Sequence, residues 1–324
     1  MKVFPCLLAV FALVLSGVPE TRAAQQVNIG VVVGPTFHHT IAAMKFKEEL
    51  EKALPGKFEV IVHHSGSLGS ETQVLQQLQL GTTQMSVCTT GPMESFVPEI
   101  KALEMPFLFP SYGAVEKVED GPIGRDLLKR FEKAGFVGLE FLHNGFRNVT
   151  NSKRPIRTPD DLKGLKVRTM ESPVHLAIWR ALGANPTPMA WPIVTQLQQG
   201  VLDGQENPIA VIHAAKLNEV GQKYLTLTRH VYSALVFVAN KTFMDKLSAS
   251  DRKTFMAAAR TASLTARAMI RDNEAKQLAA LKTAGMQVVE NPDLAAFQAK
   301  TASVLASTGG DTRKIAEAMR KAVK

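Results

Sequence analysis

The chain has 324 residues, of which 45% are hydrophobic, enough to bury one or two apolar cores. Its formal net charge is +9, but the basic side chains are scattered and form no run of five or more. This distribution is typical of a solvated basic surface and argues against a nucleic-acid-binding protein.

The first 23 residues have the pattern of a secretory signal peptide. A basic start precedes an almost wholly apolar run at 6–18, and residues 21–23 offer a small-x-small cleavage site. That run is too short to span a bilayer. We therefore expect an exported, periplasmic protein that begins near Ala24 and keeps Cys88 as its single cysteine, so that it forms no internal disulfide.

The next segment alternates strands with helices. Apolar and amphipathic runs predict strand, helix, strand, helix and strand over 26–34, 39–54, 57–64, 70–81 and 84–90. This order predicts parallel pairing with right-handed crossovers. Ligands of such sheets bind beyond the carboxyl ends of the strands, which here are residues 34–39, 65–71 and 88–91.

A second alternating cycle follows. The patterns predict a helix, a strand, a helix start, a strand, a helix and a buried strand over 125–135, 136–147, 158–162, 164–169, 173–183 and 234–240. The helix start carries a capping-box pattern, Thr158-x-x-Asp161, with proline at its first position.

A single helix is predicted over residues 248–285, where it would be roughly 50 Å long. One lobe does not need such a strut, whereas two lobes could share it. We expect two α/β lobes, one formed by residues 24–144 plus 234–273 and the other by residues 145–233 plus 274–324.

Two predicted elements of the second cycle end in arginine, at what should be one rim of a cleft. Arg147 ends the “GFR” turn, and Arg168 follows the apolar “GLKV” strand. A carboxylate answers a guanidinium with two parallel hydrogen bonds. The patterns therefore indicate an anion-binding site, with an internal pair to Asp or Glu as the alternative for either arginine.

Ordered stretches of the chain resemble the DctP-type solute-binding proteins of tripartite ATP-independent periplasmic (TRAP) transporters. They include “GFRNVTNSKRPIRTPDDLKGLKVRTMESP” (145–173), “ALGANPTPM” (181–189) and “LQQGVLDGQENP” (197–208). The resemblance implies a two-lobed, periplasmic-binding-protein-like α/β fold that closes on a small organic acid. It also implies docking onto the small and large membrane subunits of a sodium-driven carrier. We expect a monomer without a cofactor.

The resemblance also implies roles for individual residues. Arg168 would grip the ligand carboxylate, Arg147 would assist, Asn207 would line the pocket and Trp191 would cover the ligand. Ligand-dependent contacts would come from the strand ends of the first lobe and from the segment after Arg168: Phe37, His39, Glu71, Thr89, Thr90, Met170 and Glu171. For Met170, filling a gap in the core is an alternative.

Other functions are weighed against this interpretation. A receptor of the same architecture could serve a membrane sensor, and the sequence does not separate the two. An exported enzyme is disfavoured because the sequence has no G-x-S-x-G elbow, dinucleotide-binding G-x-G-x-x-G or P-loop. The pairs His38-His39 and His63-His64 lack the spacing of a zinc site, so we expect no metal.

Overall fold

The structure, a computed structural model, describes residues 23–323. Apart from Ala23, the predicted signal peptide lies outside these residues. The described chain forms one mixed sheet of nine strands with helices packed around it. No helix within the described range is both long and apolar enough to cross a membrane.

The strands are short except for two. Their bounds are β1 Gln25–Gly30, β2 Phe58–His63, β3 Met85–Thr89, β4 Phe136–Asn151, β5 Lys166–Thr169, β6 Asn185–Pro188, β7 Gly204–Pro208, β8 Tyr224–Asn240 and β9 Gln287–Val289. The order across the sheet is β2-β1-β3-β8-β4-β7-β5-β6, and β9 pairs with β8. The predicted parallel pairing is confirmed, because β1 runs parallel to both β2 and β3.

Some of the helices match predicted segments and others do not. Their bounds are α1 His38–Ala53, α2 Glu71–Leu80, α3 Thr90–Met93, α4 Tyr112–Glu119, α5 Pro122–Arg130, α6 Pro173–Ala181, α7 Val194–Gln198, α8 Ile209–Ala214, α9 Lys241–Asp245, α10 Ala249–Thr283, α11 Leu294–Ser307 and α12 Gly310–Ala322. Four of these, α1, α2, α6 and α10, match predicted segments, α5 begins and ends earlier than predicted, and the others were not predicted. The predicted helix start at 158–162 is a single 3-10 turn, Pro159–Leu162, closed by the predicted capping box.

The start of α2 is fixed by its own sequence. Ser70 Oγ accepts a hydrogen bond from the backbone N–H of Gln73, whose Oε1 accepts one from the backbone N–H of Ser70. Gly81, at φ 79°, ends the helix in the left-handed region. Glu71 therefore lies in the first turn, just beyond the carboxyl end of β2.

Two strands run through the whole sheet. The sequence predicts a strand over 136–147 followed by a loop, and a strand over 234–240. Instead, β4 and β8 are continuous over 16 and 17 residues. Three register shifts interrupt their pairing, and such bulges let long strands bend. At one of them Gly145 has φ 125°, a conformation that favours glycine.

These long strands join two lobes. We call the half of the sheet with β1, β2, β3 and the neighbouring ends of β4 and β8 the first lobe. The second lobe contains the other ends of β4 and β8 with β5, β6, β7 and β9. The expected two-lobed α/β architecture is confirmed.

The long helix is also confirmed, because α10 is one helix of 35 residues. Phe255 and Ala259, in its first half, pack into the apolar core around β1 and α1. Leu281, near its end, packs with Ile193 and Leu225 in the second lobe. The helix therefore contributes to the cores of both lobes.

The two C-terminal helices contact different lobes. Asp293 caps α11, since its Oδ1 accepts a hydrogen bond from the backbone N–H of Ala296 at 3.0 Å. The backbone N–H of Asp293 donates to the carbonyl of Arg157 in the second lobe at 2.8 Å. In α12, Asp311 pairs with Arg130 of α5 in the first lobe at 3.3 Å. The predicted lobe boundaries stay a prediction, and α12, which they assign to the second lobe, packs against the first.

Candidate functional site

A cavity lies between the two lobes, at the carboxyl ends of the strands. Its empty space, including the mouth, measures about 490 Å³. It is lined by Val32, Val33, His39, Glu71, Thr89, Pro92, Asn144, Arg168, Met170, Glu171, Ala190, Trp191, Asn207 and Val211. Both lobes thus contribute walls, as the strand-end rule for α/β sheets predicts.

Eight of the eleven predicted site residues line this cavity. They are His39, Glu71, Thr89, Arg168, Met170, Glu171, Trp191 and Asn207. Phe37, Thr90 and Arg147 lie outside the lining. The structure therefore brings most of the candidate set together, while the contact of each residue with a ligand stays a prediction.

Arg168 is a buried cation that is hydrogen-bonded to a backbone carbonyl. It lies on β5, is 4% exposed, and its Nε donates to the Met189 carbonyl at 2.7 Å. Within residues 23–323, no Asp or Glu forms an ion pair with its guanidinium. Burial, reinforced by nearby Arg147, lowers the pKa of Arg168 to about 10, so it is still protonated at neutral pH.

Arg147 is neutralised inside the protein. It is fully buried, and its Nε lies 2.5 Å from Glu206 Oε2, while its Nη2 lies 2.9 Å from Glu206 Oε1. The alternative of an internal pair therefore describes Arg147. Its Nη1 has no hydrogen-bond partner within the described chain. Its expected help in ligand binding stays a prediction.

Glu206 is the centre of a buried charge network. It also lies 3.3 Å from His175 Nδ1 and 3.2 Å from His230 Nε2. Burial alone would raise the pKa of Glu206, but Arg147 and His175 hold it well below its usual range. The carboxylate is therefore ionised and shared among the three nitrogen-bearing side chains.

The network continues across the lobes. His175 Nε2, in the second lobe, lies 2.9 Å from Glu104 Oε2, on a segment that packs in the first lobe. Burial lowers the pKa of His175, but Glu206 and Glu104 outweigh it and raise the pKa to about 9. His175 is therefore an imidazolium held between two carboxylates.

Glu71 places a carboxylate on the first-lobe wall of the cavity. Its Oε1 accepts from the Thr89 backbone N–H at 2.7 Å, and its Oε2 accepts from the Thr89 hydroxyl at 2.6 Å. Burial raises the pKa of Glu71, although both hydrogen bonds oppose the shift. The pair of bonds fixes the carboxylate at the end of β3.

His39 contributes a neutral imidazole to the same wall. It is 2% exposed, and its Nδ1 has no hydrogen-bond partner within residues 23–323. Burial, with smaller contributions from His38 and Arg147, lowers the pKa of His39 well below its usual value. A neutral ring can both donate and accept a hydrogen bond.

The residues outside the lining have identifiable positions. The Thr90 hydroxyl contacts the Glu104 carboxylate and the Ala234 carbonyl instead of the cavity. Phe37 packs edge-on against Trp191 with ring centroids 6.2 Å apart, and so supports a wall residue from behind.

Six lining residues were not predicted from the sequence. They are Val32, Val33, Pro92, Asn144, Ala190 and Val211. Asn144 lies on β4, where its Oδ1 is 3.1 Å from His38 Nε2. It directly precedes the “GFR” turn, so its position beside a candidate arginine was an available signal. The other five are apolar or proline and carry no such signal.

Within residues 23–323, no group of three or more His, Cys, Asp or Glu side chains is arranged to hold a metal ion.

Comparison with known proteins identifies a family. The family model described as bacterial extracellular solute-binding protein, family 7 (DctP), matches residues 29–309. A solute-binding protein of Verminephrobacter eiseniae is 44% identical over 88% of this chain and 85% of its own. The C4-dicarboxylate-binding periplasmic protein DctP of Rhodobacter capsulatus is 35% identical over 88% of this chain and 86% of its own.

A solved structure shares the fold. It is a TRAP periplasmic solute-binding protein from Polaromonas sp. JS666 bound to D-erythronate. It has a TM-score of 0.88 and is 42% identical, and the match covers 91% of this chain and 98% of that one.

Proposed function

The chain belongs to family 7 of the bacterial extracellular solute-binding proteins, and on that premise we propose that Arg168 captures the carboxylate of a small organic acid. The observation that carries the proposal is a buried guanidinium on a cavity wall that forms no ion pair with a carboxylate of residues 23–323. Its Nε is already bonded to the Met189 carbonyl, which leaves Nη1 and Nη2 for the ligand. These two groups match the two oxygens of a carboxylate.

Binding would favour the closed arrangement of the lobes. Glu71 and Thr89 of the first lobe and Arg168 and Asn207 of the second all line the cavity, so a ligand there would contact both lobes. Closing the lobes without an anion would bury an unpaired cation, which costs free energy. Ligand binding therefore shifts the population towards closure because the closed state alone offers contacts on both sides.

The destination of the ligand follows from the family. The protein would be exported by the segment at residues 1–23, work in the periplasm, and deliver its ligand to the small and large TRAP membrane subunits for sodium-driven import. The erythronate-bound Polaromonas protein and the dicarboxylate-binding Rhodobacter protein support a small organic acid as cargo.

The test is a thermal-shift screen of organic acids followed by calorimetry. A true ligand raises the melting temperature of the wild-type protein, because it binds only the folded state. Arg168→Ala should weaken that ligand by about 2–5 kcal/mol or more, and Arg168→Lys should also weaken it, because an ammonium group lacks the two-point geometry.

The matched control is Arg180→Ala, which removes an exposed arginine of the same lobe outside the cavity lining. It should bind like wild type. Wild-type affinity in both Arg168 variants would overturn the assignment of the carboxylate site.

A further inference from the structure

We propose that Glu71 makes the cavity select hydroxylated monocarboxylates over dicarboxylates of the same carbon skeleton. The inference rests on the proposed function, because it takes the ligand carboxylate to pair with Arg168. It goes further by stating what must stand at the other end of the ligand.

The described lining of the cavity carries more acidic than basic side chains. Among the lining residues of the described chain, Arg168 is the one Lys or Arg, whereas Glu71 and Glu171 are both acidic. Arg147 lies nearby, but Glu206 already neutralises it. Both oxygens of Glu71 accept hydrogen bonds from Thr89, as the oxygens of an ionised carboxylate do. A second ligand carboxylate would therefore meet no free cation among the described lining residues and would be repelled by Glu71.

Glu71 can accept further hydrogen bonds from a ligand. Each of its oxygens accepts one bond from Thr89. A carboxylate offers about four acceptor sites, so roughly two remain for donors in the cavity. Ligand hydroxyl groups can donate to these sites, and an ionised carboxylate cannot.

The polar groups of His39 and Asn207 at the cavity are neutral and can form hydrogen bonds. His39 Nδ1 is buried and has no partner within residues 23–323, and buried polar atoms are nearly always hydrogen-bonded. Asn207 Nδ2 donates to Gln205 Oε1 at 2.5 Å, which leaves the Asn207 Oδ1 as an acceptor. A neutral imidazole and an amide oxygen suit hydroxyl groups, which both donate and accept.

The apolar walls fit the remainder of such a ligand. Val32, Val33 and Trp191 also line the cavity and can cover the C–H faces of a carbon chain. The site thus combines one cation for one carboxylate, acceptors for hydroxyl groups, and apolar surface between them. This combination describes a chain-form polyhydroxy monocarboxylate.

The test compares acids that differ only at the terminal carbon. Isothermal titration calorimetry at fixed pH and ionic strength would use D-erythronate against meso-tartrate, and D-galactonate against galactarate. Each pair exchanges a terminal CH2OH for a carboxylate. For whichever pair the wild-type protein binds, we expect the monocarboxylate to bind at least about 10-fold more tightly.

Glu71→Gln then isolates the charge, because it keeps the size of the side chain. It should reduce the preference for the monocarboxylate by about 10-fold, chiefly through tighter binding of the dicarboxylate. The control Glu132→Gln removes the same charge from an exposed position of the first lobe outside the cavity lining, where solvent screens it, so the preference should change by less than about threefold.

Three results would overturn the inference. One is equal affinity of wild type for both members of a pair. Another is an unchanged preference in a Glu71→Gln protein that retains the wild-type unfolding transition. The third is binding of dicarboxylates alone. If Glu71→Gln does not fold, the wild-type comparison decides. Failure of every organic acid to bind would instead refute the proposed function on which the inference depends.

Discussion

Arg147 and Arg168 are both buried near the same cavity, yet they differ in what surrounds their charge. Arg147 on β4 faces the carboxylate of Glu206 on the adjacent strand β7. Arg168 on β5 has only a backbone carbonyl as partner within the described residues. Glu206 therefore neutralises Arg147 inside the protein, whereas under the proposed function a ligand anion neutralises Arg168. The comparison teaches that the presence of one neighbouring carboxylate separates an arginine with an internal partner from a candidate for ligand binding.

The largest loss of stability is expected when the ion pair between Arg147 and Glu206 is broken. Arg147→Met should destabilise the ligand-free protein by about 3–5 kcal/mol, because it leaves the buried Glu206 without its closest cation. Urea unfolding followed by circular dichroism measures this loss. Arg180→Met, at an exposed position of α6, is the control and should change stability by less than about 0.5 kcal/mol. If Arg147→Met also lost less than about 0.5 kcal/mol of stability, the result would contradict a structural role for Arg147.

A smaller effect tests the network that supports Glu206. His175 has a folded pKa of about 9, above the ordinary 6.5, so its stabilising contribution is complete below pH 6.5 and is lost as the pH rises through 9. His175→Gln should therefore cost about 1.5–3 kcal/mol at pH 6 and much less above pH 9.

The measurement is chemical unfolding of wild type and variant across that pH range. His213→Gln, at a partly exposed position of α8, is the matched control and should change stability by less than about 0.5 kcal/mol at pH 6. A stability difference that stays constant with pH would mean that the shape of His175, and not its charge, supports the network.

The smallest change in stability is expected for the substitution of Arg168. Arg168→Met should change the stability of the ligand-free protein by less than about 1 kcal/mol, because the lost bond to Met189 is offset by removal of an unneutralised buried charge. Urea unfolding measures it beside Arg147→Met. A loss as large as that of Arg147→Met would show that Arg168 also has a structural role.

The sequence predicts the first lobe well because local patterns and tertiary structure agree there. The apolar runs at 26–34, 57–64 and 84–90 become the parallel strands β1, β2 and β3. The helix between β2 and β3 begins at its capping box and ends at Gly81. In this lobe, each strand is stabilised by burial of its own apolar side chains.

The second half of β4 was not predictable in the same way, because its buried residues are polar. Thr150 is buried, yet its hydroxyl donates to Gln222 Oε1 at 2.8 Å and accepts from Gln205 Nε2 at 2.9 Å. Both partners are more than 50 residues distant in sequence. A local pattern cannot show that such polar groups will be satisfied inside a sheet.

The candidate site was also only partly predictable from local sequence patterns. The strand-end rule places Arg168 and Thr89 at the cavity, but it cannot distinguish Arg168 from Arg147, since Glu206 lies 59 residues beyond Arg147 in the chain. It also fails for Thr90, where β3 has ended and α3 has begun, so that adjacent threonines point in different directions.

The return of α12 to the first lobe has a mechanical consequence. Within residues 23–323, β4, β8, α10 and the α11–α12 connection all link the two halves of the molecule. Several parallel links resist twisting and sliding more than they resist a common bend. The two lobes should therefore move by rotation about one axis. Each closure would then bring the same two walls of the cavity to the same relative position.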